Sequence, residues 1–105
     1  MVNYEVNLEI DAAIYADCVA WLVDHVEEIL VFDGFLNAKF FEESSVNQAG
    51  IKKLIISYEL DNEESLQNYF DNHAMIMRNK TQKAFGDKVK AVRRVLKLNK
   101  VITKK

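Results

Sequence analysis

Residues 2–10, VNYEVNLEI, alternate without exception, with Val2, Tyr4, Val6, Leu8 and Ile10 in one set and Asn3, Glu5, Asn7 and Glu9 in the other. Successive side chains of a strand point to opposite faces, so this stretch specifies a half-buried β-strand and fixes a sheet with one apolar face. The rest of the chain has to cover that face.

Two stretches have the right periodicity. Asp11 is a good N-cap, and from Ala12 to Phe32 the residues Ile14, Cys18, Trp21, Leu22, His25, Val26 and Ile29 form an apolar stripe that Asp33 and Gly34 close. Asp61 to Val89 reads as one long helix running into the last strand, capped by Asp61 or Asn62 and ended by Gly86. Leu66, Tyr69, Phe70, His73, Ala74, Met77, Thr81 and Ala84 recur along it at steps of three and four.

Between the helices, Phe35–Glu42 and Ile51–Leu60 read as strands joined by a polar hairpin loop, Glu43–Gly50, and Val89–Leu98 reads as the fourth strand. The order is βαββαβ, whose simplest solution is an α+β, ferredoxin-like, four-stranded antiparallel sheet with both helices on one face. A chain of 105 residues, half of them apolar, suits one domain, taken as residues 1–99 followed by a basic tail, 100–105.

No apolar run approaches the ~20 residues a membrane span needs, and the first residues lack a signal-peptide pattern, so the mature protein is expected to begin near Met1. The lone cysteine, Cys18, cannot form an internal disulfide, which fits a cytoplasmic location. Lys88, Lys90, Arg93, Arg94, Lys97, Lys100, Lys104 and Lys105 crowd the C-terminal end. With no aromatics between them they read as a solvated basic tail rather than a nucleic-acid surface.

If even-numbered residues meet the helices in every strand, Leu36, Ala38, Phe40, Leu54, Ile56, Tyr58, Leu60, Val92, Leu96 and Leu98 join the core. The odd-numbered face then carries Phe35, Phe41, Ile51, Ile55, Val89 and Val95 among charges, more apolar surface than a solvent face needs. A second copy packed about a twofold axis would cover it, so a homodimer is expected, with Glu5, Phe35, Phe41, Ile55, Arg93 and Val95 on the shared face and Glu5 paired with Arg93.

WLVDHVEEILVFDGF, from Trp21 to Phe35, and NHAMIMRNKTQKAFGDKVKAVR, from Asn72 to Arg93, are similar to the domain of unknown function 4286 family. The matching positions are Trp21, His25, Glu28, Leu30, the Gly34-Phe35 pair, His73, Ala74, Phe85, Gly86 and Arg93. Glu27 stands where the family often has proline, so the first helix is expected to run on here. The resemblance implies a small bacterial dimeric α+β barrel and supplies no activity.

Candidate ligand-binding residues are His73, His25, Arg94, Tyr4, Tyr58 and Trp21. Histidines held against a sheet have pKa values that neighbours can move into the range of proton transfer, although packing alone also accounts for a half-buried histidine. Arg94, on the even face, marks either an anion pocket or a snorkelling side chain, and Tyr4, Tyr58 and Trp21 serve equally well as core. His25, Glu28 and His73 are too few for a metal set, and no metal or other cofactor is expected.

The working function is small-molecule binding between helices and sheet. One alternative is an enzyme like the antibiotic-biosynthesis or haem-degrading monooxygenases, which are similar in architecture and use a first-strand Asn with a Trp and a His on the second helix. Asn7 and His73 are present here, but Asn7 falls on the far face and the second helix has no Trp. RNA binding needs free-face aromatics where this chain has Glu5, Asn7, Lys53, Ile55 and Ser57. A purely structural dimer is the remaining alternative.

Overall fold

The alternating stretch forms β1 (Val2–Asp11) in the computed structural model, which describes residues 1–43 and 49–105. A 3-10 turn (Ala12–Ile14) leads into α1 (Tyr15–Ile29), and β2 (Phe35–Glu42) and β3 (Ile51–Leu60) follow. Then come α2 (Glu63–Asn72), α3 (Ala74–Phe85), a second 3-10 turn (Gly86–Lys88) and β4 (Val89–Lys97). Most of the expected hairpin loop, 44–48, lies outside the described residues. The four strands form one antiparallel sheet in the order β2-β3-β1-β4.

β1 and β3 are central, and their even-numbered residues face the helices. Val2, Tyr4, Val6, Leu8 and Ile10 stand opposite Leu60, Tyr58, Ile56, Leu54 and Lys52. Ile10, Leu54, Ile56 and Leu60 are among the most completely buried side chains. At about 1.5–3 kcal/mol for each large apolar side chain taken from water, they anchor the core at this pair. Leu22, Val26 and Ile29 of α1, Leu66 and Tyr69 of α2, and Met77 of α3 pack onto them.

Capping follows local chemistry. The Asp11 carboxylate accepts from the Ala13 N–H at 2.9 Å, and the Asn62 side chain accepts from the Ser65 N–H at 2.8 Å, starting α2. Gly34 has φ +86°, and its carbonyl accepts from the Asp61 N–H at 3.0 Å, tying the entry of β2 to the start of α2.

The structure departs from the sequence expectations in four places. The long second helix is two, because His73 takes φ −130° and ψ −29° between Asn72 and Ala74. Hydrogen bonds from His73 N–H to the Tyr69 carbonyl and from Met77 N–H to the His73 carbonyl continue through the kink, and the His73 ring stacks on Phe32, 4.1 Å between centroids. Likewise α1 ends at Ile29, short of the expected Phe32.

In β2 the register slips between Phe35 and Asn37, so Phe35 and not Leu36 sits opposite Leu60. A one-residue bulge returns the strand to phase after it, with Ala38 opposite Tyr58 and Phe40 opposite Ile56. Phe35, expected on the outer face, is therefore core, and Leu36, expected in the core, is exposed.

In β4 the phase is reversed. Its pairing with β1 places Val89, Ala91, Arg93 and Val95 opposite Ile10, Leu8, Val6 and Tyr4, so the odd-numbered residues of β4 face the helices. Arg93 and Val95 accordingly leave the outer face, while Val92, Arg94 and Leu96 join it. A strand shifted by one residue presents every side chain to the opposite face.

Candidate functional site

The reversed phase of β4 shapes a cavity between the sheet and the α1–α3 layer. Its volume is about 310 Å³, and its floor comes from β1, β3 and β4 while α1 and α3 form the roof. The ring-bearing end is built on Tyr4 of β1, opposite Tyr58 of β3, with their rings stacked 5.7 Å apart. Tyr69 reaches in from α2, 6.1 Å from the Tyr4 ring.

Two guanidiniums join this tyrosine cluster. Arg93 is half-buried opposite Val6 on the floor, and Arg78 of α3 stands exposed at the rim, where its Nη2 donates to the Tyr4 hydroxyl at 3.4 Å. Among the described residues neither arginine has a carboxylate partner, and no Asp or Glu lines the cavity. Burial drives the Tyr58 phenol above its usual range and the Tyr69 phenol up to about 12. The neighbouring phenols add to both rises, whereas Arg93 opposes each and Arg78 opposes that of Tyr69. Near neutral pH these hydroxyls are protonated donors.

His25 lines the cavity from α1 and is 7% exposed. Its ring stacks on Trp21, 4.7 Å between centroids, and Trp21 meets Phe85 edge-on. Nε2 lies 3.4 Å from Thr81 Oγ1, while the buried Nδ1 has no partner among the described residues. A buried, unmet N–H donor costs more than an unmet acceptor lone pair, so the proton belongs on Nε2, donating to Thr81. Burial depresses the His25 pKa below the usual histidine value; Glu28 works against that shift and Lys80 with it.

Of the residues singled out in the sequence, His25, Tyr4 and Tyr58 meet at this cavity. Trp21 supports it from behind through His25. His73 lines a separate open groove with Glu28, Phe32 and Ile76. Arg94 is on the opposite face of the sheet, where its Nε donates to Glu5 at 2.8 Å, so the partner of Glu5 is Arg94 and not Arg93. No group of three His, Cys, Asp or Glu side chains able to hold a metal ion occurs among the described residues.

Sequence reasoning put Tyr69 and Thr81 on the inward stripe without assigning them to the site, and it missed Arg78 and Gln82. Helical spacing carried the signal for Thr81, four residues from the buried Met77, and it puts Arg78 and Gln82, also four apart, on one adjoining row.

The outer face of the sheet is a second candidate surface. Phe41 opposite Ile55, Val92 opposite Asn7 and Leu96 opposite Asn3 put apolar groups there, with Phe41 50% and Val92 70% exposed. Between them run the Glu5–Arg94 pair and hydrogen bonds from Asn3 to Ser57 and from Asn37 to Glu59. Asn37 Oδ1 is shielded without a partner among the described residues.

Known structures share this architecture. A putative antibiotic biosynthesis monooxygenase from Deinococcus radiodurans aligns with TM-score 0.73 at 19% identity, covering 100% of this chain and 99% of that one. The Arabidopsis thaliana protein At3g17210 aligns with TM-score 0.71 at 10% identity over 98% and 100% of the two chains. A dimeric ferredoxin-like protein from an uncultured marine organism gives 0.66 at 9% identity over 96% and 97%. These identities carry the fold alone. No curated protein matches the sequence. The family model described as domain of unknown function DUF4286 matches residues 1–99, nearly the whole of the chain whose sheet and cavity are set out above, and the protein belongs to that family.

Proposed function

We propose that the protein binds a small organic molecule in the cavity between helices and sheet. The observation that carries this reading is a space of about 310 Å³ with a mixed aliphatic and polar lining, into which Arg78 and Arg93 bring positive charge that no lining carboxylate answers. Small-molecule sites combine apolar walls with a few convergent polar groups in this way.

A second copy of the chain covers the outer face in this proposal. Phe41, Ile55, Val92 and Leu96 supply its apolar contacts, Glu5 and Arg94 its charged centre, and a partner's donor would meet the orphaned Asn37 Oδ1. That one structural neighbour is described as dimeric adds support. A cytoplasmic location belongs to the same reading, supported by the single buried thiol of Cys18.

Monooxygenase activity is not part of the proposal. Asn7 is on the outer face opposite Val92, and neither α2 nor α3 contains a tryptophan. Native mass spectrometry of gently purified protein tests the binding reading. A reproducible added mass, released by partial unfolding and lost in Arg93→Gln, is expected; bare protein from every preparation, together with no binding from a small-molecule library, would refute it.

A further inference from the structure

The chemistry of the cavity narrows its ligand. Register orders the floor from end to end: Tyr4 and Tyr58, then Val6 and Arg93, then Leu8 and Ala91, with Val89 last. One end therefore carries phenols and guanidiniums, and the floor of the other is aliphatic, with Leu22 of α1 and the polar side chains of Thr81 and Gln82 of α3 in the roof. A ligand matching this gradient is amphipathic.

Its polar head has to be anionic. Arg78 and Arg93 are unmatched by carboxylates among the described residues, whereas Arg94 and Lys80 are already engaged by Glu5 and Glu28 on other surfaces. The Tyr4 hydroxyl accepts from Arg78, which leaves its own hydrogen free to donate, and the Tyr58 and Tyr69 phenols, protonated near neutral pH, line the same end of the cavity as further donors. Donors and positive charge converge with no competing anion, the arrangement that favours a carboxylate. Inorganic anions would satisfy that end and leave the aliphatic end empty. At roughly 30 Å³ per water-sized group, the volume holds about ten heavy atoms.

We propose that the cavity takes an amphipathic monocarboxylic acid of about ten heavy atoms, its carboxylate between Arg78 and Arg93 and its apolar body along Leu8, Ala91 and Val89. The inference rests on the binding reading above and deepens it. Thr81, held by His25, lines the roof beside this path.

The test uses three probes of one tail length, octanoate, octan-1-ol and octylammonium, titrated into the full chain and followed by backbone amide shifts and calorimetry. Octanoate is expected to saturate with shifts at Thr81, Ala91 and Arg93, to bind at least tenfold more tightly than the alcohol, and to outcompete octylammonium entirely. Arg93→Gln and Arg78→Gln, each checked for an unchanged fold by its amide spectrum, weaken octanoate about tenfold or more and leave octanol alone. Arg94→Gln, on the outer face, changes neither. Equal binding of octanol and octanoate, or full octanoate affinity in both arginine variants, would overturn the carboxylate assignment while leaving the cavity a binding site. No shift at cavity residues with any probe would overturn the amphipathic-acid assignment, and the binding reading would then stand or fall on native mass spectrometry and the wider library.

Discussion

Arg94 Nε donates to Glu5 Oε1 at 2.8 Å between directly opposed residues of β4 and β1, and Asn7 donates to the same carboxylate oxygen at 3.1 Å. Glu5 is only 9% exposed, so its charge depends on these bonds. Arg94 holds the Glu5 pKa below the usual 4.5, against desolvation, and Asn7 assists.

Arg94→Ala is expected to cost about 1 kcal/mol, the modest value of a pair whose basic member is mostly in water, whereas Arg93→Ala stays within about 0.5 kcal/mol. A depressed carboxyl contributes stability above its unfolded pKa and loses it as pH falls through the folded one. Denaturant titrations should thus show the Arg94 variant's deficit at pH 7 and its disappearance in acid. Carbon-detected NMR of the Glu5 carboxyl should move its titration upward in the variant.

His25 acts on the same acid flank of the pH profile, starting from a higher pH. Its folded pKa lies below the ordinary 6.5, so the unfolded chain takes up the proton first. Stability is full above about pH 6.5 and declines as pH falls from there to the folded value. His25→Phe keeps a ring against Trp21 and removes the titration. Chemical denaturation between pH 7.5 and 5 should show a slope in the wild type that this variant lacks.

Gly34 and Gly50 both have positive φ, but only Gly34 is crowded. A Cβ there would strike Ser65 and approach the Asp61 carboxylate, whereas among the described residues nothing lies within 4 Å of one at Gly50. Gly50→Ala should cost about 1 kcal/mol of backbone strain, and Gly34→Ala about 2 kcal/mol or more because α2 has to shift. Equal unfolding midpoints for the two variants would contradict the close approach of β2 and α2.

Cys18 is fully buried, and burial lifts its thiol to about 11 from the usual 9.0. Near pH 8 its thiolate population falls by about a hundredfold. Iodoacetamide should label the native protein at least that much more slowly than the urea-unfolded chain, with labelling read by mass spectrometry.

For the outer face, Phe41→Asp and Val92→Asp each add a charge to an apolar contact of the proposed pair. Sedimentation equilibrium should give a dimer for the wild type and a monomer for either variant, with the amide spectrum of the cavity residues unchanged. A monomeric wild type at tens of micromolar would rule out the pairing.

The sheet was legible because β1 and β3 are central and their alternation is enforced on one side by the core. Asp11, Asn62, Gly34 and Gly86 mark their turns with chemistry that local sequence reveals. β4 was misread because it is an edge strand and both of its alternating sets are mixed. Val92 and Leu96 look as apolar as Val89 and Val95, so the register, a non-local property, chose between Arg93 and Arg94. Leu36 is a single-residue bulge, invisible to a pattern that counts by twos. The kink at His73 had no Gly or Pro to announce it, and the stack on Phe32 depends on a loop distant in sequence. At the cavity, Tyr4, Tyr58 and His25 could be placed by direction, but the depth that brings Arg78 and Tyr69 beside them comes only from packing.

β4 lies at the sheet's border with one side of its backbone unpaired by any strand. Lys90, Arg93, Arg94 and Lys97 are spaced along it with no acid between them. Another strand laid against that border in antiparallel fashion, above all another β4, would bring like charges together at each step and be repelled. The basic side chains of β4 thus disfavour growth of the sheet at that border, Lys90 and Arg93 most of all, since Arg94 and Lys97 are paired with Glu5 and Glu63.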